Sequence, residues 1–303
     1  VTDPQVPGFH YYSLIIDGVS VADPSSESFF GSGKMSSGID IPEAGVDFYY
    51  VKNVPHGEIR QKWYYSDKTN SWRRLFVYTP PDYDKNTNLK YPVLYIQHGA
   101  GEDERAWGSQ GKLDIILDNL IADGKAKPMI VVMSNEYIIS NIGQGYNSES
   151  SNNFMDIFGT DLRSNIIPFI EKNFRTLSGR ENRAIAGLSM GGGIAFRLGM
   201  LNQDLFASVG VFSTSAFRGQ NGEIFDAEKQ IPGILTNTGK FNKSLKLLYI
   251  SSGEQDPSFE YSVKTVKKFR DNGLKLEFNT FPGAHEWQVW RKALNDFGSR
   301  VFK

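Results

Sequence analysis

Apolar positions along this chain follow two regimes, and the change comes near residue 57. Downstream of it, short runs that are apolar throughout alternate with stretches whose apolar residues recur every three or four positions. Strands buried on both faces read as continuous apolar runs, whereas helices lying on such a sheet show a period near 3.6 residues. Glu58 to Ser66 and Trp72 to Thr79 predict a hairpin across Asp67-Lys68-Thr69-Asn70, ended by Pro80-Pro81. Tyr91 to Gln97 predicts the next strand, and Lys112 to Asp123, apolar at 113, 116, 117, 120 and 121, a helix. Met129 to Met133 predicts another buried strand. Tyr137 to Met155, rich in Asn, Ser and Gly, reads as a loop long enough to be functional. Thr160 to Phe174 predicts a helix kinked at Pro168. Strands follow at Arg183–Ala186, Ala207–Phe212, Leu245–Ser252 and Lys275–Phe281, with helices at Met190–Leu201, Ser258–Asn272 and Glu286–Phe302. An antiparallel start followed by βα alternation predicts an α/β fold with a mostly parallel central sheet covered by helices on both faces.

Residues 1–45 stand outside that alternation. His10 to Ile16, Asp17-Gly18 and Val19-Ser20-Val21 give a hairpin signal. Ser25 to Gly45 is turn-rich with little periodicity. Two strands are too few for an independent sandwich, which needs roughly seven. The segment is therefore expected to be either an appendage docked on the α/β domain or the tail end of a further domain.

The chemistry centres on Gly187-Leu188-Ser189-Met190-Gly191, set between a predicted strand and a predicted helix. This is the layout of the nucleophile elbow of α/β-hydrolases, in which a serine sits on a tight strand-to-helix turn. A serine hydroxyl needs a base within hydrogen-bond reach, and the base a carboxylate to orient it. In this fold the chain order is Ser, then Asp or Glu, then His. Of the four histidines, His10, His56, His98 and His285, only His285 lies downstream of Ser189, in the turn after the last predicted strand. The loop after the preceding strand, Gly253-Glu254-Gln255-Asp256-Pro257, offers Glu254 and Asp256. Asp256 is preferred because it ends the loop, where its side chain can turn back towards the histidine; its structural alternative is to cap the following helix. Backbone N–H groups of Met190 and of Ala100, in His98-Gly99-Ala100-Gly101, are the expected oxyanion hole. His98 precedes the serine and reads as a brace for that loop.

Composition narrows the partners. The net charge of −1 in 303 residues, with both signs interspersed, leaves no electrostatic footprint for nucleic acid or an anionic membrane. No apolar run reaches membrane-spanning length. The absence of cysteine excludes disulfides, a thiol nucleophile and thiolate metal sites. Because the chain starts on Val1, a leader or tag is expected to have been removed.

Taken in order, several blocks resemble the bacterial feruloyl and acetylxylan esterases of carbohydrate esterase family one. They are Tyr91-Pro92-Val93-Leu94-Tyr95-Ile96-Gln97-His98-Gly99, Trp107, Leu117-Asp118-Asn119-Leu120-Ile121-Ala122, Pro128 to Met133, Gly187 to Gly192 and Gly283-Ala284-His285-Glu286-Trp287-Gln288-Val289-Trp290. The likeness covers roughly residues 57–303 and implies an esterase domain over 46–303. It places nucleophile, acid and base on Ser189, Asp256 and His285, and the oxyanion donors on Ala100 and Met190. It implies no cofactor and no metal. The implied substrate is feruloylated or acetylated plant cell-wall polysaccharide or oligosaccharide, with ferulate on xylan leading and acetylxylan, thioester and siderophore esterases sharing the blocks. A secreted or periplasmic location follows. The acyl pocket is expected from the 101–110, 137–155 and 213–220 loops and the residues after His285, with Trp107 and Trp287 as walls for an aryl group or sugar and core packing as their alternative role. Pro7-Gly8-Phe9-His10-Tyr11-Tyr12 with Ile16-Asp17-Gly18 resembles the last strands of an Ig-like carbohydrate-binding module, making 1–45 a remnant of one.

Overall fold

In the computed structural model, residues 5–137, 148–219 and 222–303 are described. The N-terminal part contains β1 (Gly8–Tyr12), β2 (Leu14–Ile16), β3 (Val19–Val21), β4 (Ser28–Gly31) and β5 (Lys34–Ile41). β2 and β3 form the expected hairpin across Asp17-Gly18, but β1, β5 and β4 form a three-stranded antiparallel sheet in that order. The turn-rich reading of 25–45 is therefore corrected: most of it is strand. Glycine and serine hid it. A Cβ on Gly38 would lie 2.6 Å from the Phe9 ring, and one on Gly31 would overlap Tyr11, so these glycines make room for aromatic rings of β1.

The main sheet starts with the hairpin β6 (Glu58–Ser66) and β7 (Ser71–Thr79), followed by β8 (Val93–Gln97), α1 (Leu113–Ala122), β9 (Ile130–Ser134) and α2 (Ser148–Asp161). A π-turn over Leu162–Ile166 leads into α3 (Ile167–Asn173). Next come β10 (Arg183–Leu188), α4 (Ser189–Leu201), β11 (Ser208–Phe212), α5 (Ala227–Gln230), α6 (Thr238–Ser244), β12 (Leu247–Gly253), α7 (Phe259–Asp271), β13 (Glu277–Phe281) and α8 (Trp287–Gly298). Among the described residues the sheet has eight strands in the order β13-β12-β11-β10-β8-β9-β7-β6, parallel from β13 to β9 and antiparallel at β7 and β6. This is the predicted fold class, the α/β-hydrolase fold.

Strand alternation divides the core into two layers. Val93, Tyr95, Ile130, Val132 and Ile185 pack with Phe158, Leu162, Ile194 and Phe269 on one face. Leu94, Ile96, Val131, Met133, Ala184 and Ala186 pack with Leu117, Val289, Leu294 and Phe297 on the other. Phe9 of β1 joins the second layer. The predicted 137–155 loop divides: 138–147 lie outside the described residues, and Ser148–Met155 belong to α2. Low-propensity Asn and Ser masked that helix, which is held by Phe154 and Phe158 in the core. The irregularity assigned to Pro168 falls one turn earlier, as the π-turn, because the proline ring occupies the space of the backbone before it.

Candidate active site

Parallel strands direct their carboxyl ends to one edge of the sheet, and the predicted triad assembles there. Ser189 follows β10 directly, at φ 51°. That conformation costs a non-glycine residue roughly 1–3 kcal/mol, so its surroundings must impose it. They do. A Cβ on Gly187 would overlap the Gly191 carbonyl, and one on Gly191 would meet the His98 carbonyl, with Gln97 O at 2.7 Å. The glycines let the turn close against the β8 terminus. The Thr214 hydroxyl donates to Ser189 O at 3.0 Å and accepts Ala216 N–H at 3.1 Å, tying the elbow to the loop after β11.

His285 Nε2 is 2.8 Å from Ser189 Oγ, and His285 Nδ1 is 2.6 Å from Asp256 Oδ2. A carboxylate can only accept, so Nδ1 carries the proton and Nε2 is free to accept from the serine. Asp256 Oδ1 takes the Ser258 N–H at 2.7 Å, so this residue both faces the histidine and braces the start of α7. Glu254 instead accepts the Thr280 hydroxyl at 3.1 Å on the exposed side. The choice between the two carboxylates follows from this geometry. The Trp290 ring meets His285 edge-on at 5.1 Å and limits its tilt.

The loop after β8 carries Ala100 beside this triad. His98 Nδ1 donates to Gly99 O at 2.8 Å, and Gly99 N–H donates to Glu102 Oε2 at 3.0 Å. In a planar peptide the C=O and N–H point in opposite directions. Fixing Gly99 O on His98 thus turns the Ala100 N–H the other way, and among the described residues that N–H has no hydrogen-bond partner. Met190, the second residue of α4, presents its N–H at the helix N-terminus. His98 is the expected brace.

A buried acidic cluster underlies the loop and was missed by the sequence reading. Glu102, Asp103 and Glu104 are 6%, 7% and 5% exposed. A run of three acids reads as a solvated face; here Asp103 pairs with Arg105, and Glu104 with Arg74 and the Asn135 amide. Burial raises the Glu102 carboxyl to about 7, against the pull of the Gly99 N–H and the Trp287 indole. Glu136 lies 3.1 Å from His98 Nε2. Burial pushes its carboxyl well up and the His98 imidazole down.

The two expected tryptophan walls are corrected. Trp107 and Trp287 are 1% and 2% exposed and pack edge-to-face on each other at 5.3 Å. The Trp107 indole donates to Gln97 O at 2.9 Å. They belong to the core beneath the loop after β8, because the apolar face of α8 and the 101–110 loop turn inward there. A cavity of about 320 Å³ opens between Phe29, Phe30, Ile59, Phe76 and Arg105, with no triad residue in its lining. Among the described residues no cluster of acids and histidines has the makings of a metal site, and no helix is long and apolar enough to cross a membrane.

Fold and site together define an α/β-hydrolase. Residues 66–299 match the family described as "Putative esterase", and the chain belongs to that family of carboxylic ester hydrolases. It is 37% identical, over 99% of its own length and 39% of the relative's, to an endo-1,4-beta-xylanase/feruloyl esterase of Xylanibacter ruminicola. It is 32% identical, over 59% of its length and 16% of the relative's, to endo-1,4-beta-xylanase Y of Acetivibrio thermocellus. The chain thus spans well under half of these relatives. A CE1 ferulic acid esterase from Anaeromyces mucronatus, solved in complex with ferulic acid, superposes with a TM-score of 0.73 at 25% identity, covering 87% of this chain and 98% of that one.

Proposed function

We propose that the chain is a feruloyl esterase that releases ferulate or a related hydroxycinnamate from arabinoxylan through a Ser189–His285–Asp256 acyl-enzyme mechanism. The observation that carries the mechanism is the unbroken hydrogen-bond series from Asp256 through His285 to Ser189 at a strained elbow. His285 Nε2 takes the Ser189 proton as Oγ attacks the ester carbonyl. The resulting oxyanion is received by the Ala100 and Met190 N–H groups. Collapse of the tetrahedral intermediate expels the sugar oxygen, which takes the proton back from His285. Water, deprotonated by the same histidine, then frees the carboxylic acid and regenerates Ser189. Asp256 holds the tautomer and stabilises the imidazolium. Ferulate is supported by the relatives named for it. Trp107 and Trp287, being buried, lend that choice nothing. A polymeric plant substrate suits a secreted or periplasmic enzyme.

The test is a substrate panel of methyl ferulate, a feruloylated arabinoxylan oligosaccharide, acetylated xylan and a peptide amide. Feruloyl esters are expected to show the highest kcat/KM and the sugar-linked one to exceed the methyl ester, since a bound leaving group supplies binding energy usable at the reacting centre. Preference for acetylated xylan over every hydroxycinnamate would overturn the acyl assignment and leave the triad standing.

A further inference from the structure

Ala100 lies between two glycines whose peptide groups are all held. Gly99 is tied to His98 and Glu102, as described. On the other side, Gly101 N–H donates to the Tyr137 hydroxyl at 2.9 Å, and Gly101 O accepts Gly33 N–H at 2.7 Å. The last bond crosses from the N-terminal sheet. Ser32 and Gly33 form the two-residue turn joining β4 and β5, closed by the Gly31–Lys34 pair, with φ of 55° and 75°. Two consecutive positive φ values define a type I′ turn, the hairpin connection with little freedom to vary.

Contact at this point is close. Gly101 itself sits at φ 79°, and a Cβ there would lie 3.0 Å from Ser32 Cα and 3.1 Å from Gly33 N. The same hairpin is also tied to the far end of the loop. The Gln110 amide donates to the Phe30 carbonyl at 2.9 Å and to the Tyr11 hydroxyl at 2.6 Å. Arg105 lies over the Phe30 ring at 5.4 Å. The whole segment from Gly101 to Gln110 is thus spanned by β4 and its turn.

We propose that the Ser32–Gly33 turn is a positioning element of the esterase site: by holding Gly101 it keeps the Ala100 N–H on the developing oxyanion, so the N-terminal sheet acts in turnover itself. This rests on the proposed esterase mechanism. It differs from a carbohydrate-binding role in what it touches. A glycan-binding appendage alters action on polymers, whereas a support of the oxyanion loop alters kcat on any ester, however small.

The experiment lengthens the turn by inserting Gly-Ser-Gly-Ser between Ser32 and Gly33 in the full chain. The same insertion between Asp17 and Gly18 is the control, since a Cβ at Gly18 would meet nothing within 4 Å. With methyl ferulate, kcat of the Ser32 insertion is expected to fall at least ~10-fold, towards the ~10²-fold cost of a lost oxyanion donor. KM and affinity for free ferulate are expected to stay within about twofold, because the ground state makes little use of that donor. The control insertion is expected to keep wild-type kcat. Ser32→Asn without insertion preserves a type I′ turn and is expected to keep the kcat that lengthening loses. Should the lengthened variant fail to fold, Gly101→Ala presses the same contact with the hairpin sequence intact and is expected to show the same kcat loss. A lengthened or Gly101→Ala variant with kcat within about twofold of wild type would overturn the inference while the esterase reading stands. Absence of ester turnover in the wild-type chain would remove the esterase reading and this inference with it.

Discussion

Ser189, the proposed nucleophile, is held in place at the expense of backbone comfort. At φ 51° it occupies backbone space that suits glycine, and the crowding of Gly187 and Gly191 against neighbouring carbonyls holds it there. Ser189→Ala is expected to lower kcat by several orders of magnitude, up to roughly 10⁶-fold, with the fold intact by circular dichroism. Ser189→Gly is expected to be as inactive and to melt higher than Ser189→Ala, because glycine relieves the strain that alanine keeps. Asp256→Asn is expected to cost about 10³- to 10⁴-fold in kcat by favouring the wrong imidazole tautomer, while Glu254→Gln stays near wild type. Glu102 adds a pH signature. Its carboxyl, ordinarily near 4.5, is raised to about 7 by burial, so between those values the folded state holds a proton that the unfolded state has lost. Stability from this group therefore falls as pH rises through that window, by on the order of 3 kcal/mol. Glu102→Gln keeps an acceptor for Gly99 N–H without the charge. Melting temperatures at pH 5 and pH 8 are expected to show the variant gaining on wild type at the higher pH.

At the scale of elements, legibility tracked how local the cause was. The parallel strands β8 to β12 and the helices α1, α4, α7 and α8 were readable because apolar runs and 3.6-residue periods are written in neighbouring residues. Ser189, Asp256 and His285 were readable because the chain order of this fold assigns each to a particular strand end. The strands β4 and β5 were not, since their glycines answer to Phe9 and Tyr11 on another strand. Nor could Asn and Ser in α2 reveal that Phe154 and Phe158 fix it from below. Trp107 and Trp287 were misplaced because a sequence marks an aromatic residue near the triad without showing which way it turns. The acidic triplet 102–104 went unread because two partners of Glu104, Arg74 and Asn135, come from distant positions. One prediction belongs at this scale. Gly191→Ala would drive a methyl group into the His98 and Gln97 carbonyls, displacing α4 from the end of β8. A displacement near 1 Å is worth about 10²-fold in rate. Assay of this variant is expected to show that loss in kcat together with a lowered melting temperature.

Across the whole molecule, the N-terminal sheet and the hydrolase are joined by charge as well as by the Phe9 contact. Arg291 of α8 is fully buried, and its guanidinium meets Asp40 of β5 at 2.7 and 3.1 Å while also donating to Gln110 O. Lys112 approaches Asp40 at 2.7 Å from a third direction. A buried guanidinium is tolerable only while its charge is balanced, and removing the partner of such a pair costs about 3–5 kcal/mol. Asp40→Ala is therefore expected to destabilise the entire chain, at the lower end of that range because Asp40 is itself part-exposed, in one cooperative transition by urea unfolding. The pH dependence gives the sign. Burial works against ionisation of Asp40, but Arg291 and Lys112 prevail and hold its carboxyl below the ordinary value of 3.8. Its contribution is complete above that ordinary value and disappears as pH falls through the lowered one. The stability gap between wild type and Asp40→Ala is expected to stay level from pH 8 to pH 5 and to narrow below pH 4. A gap unchanged by acid would assign the loss to packing around β5 rather than to the ion pair that binds the two parts of the molecule.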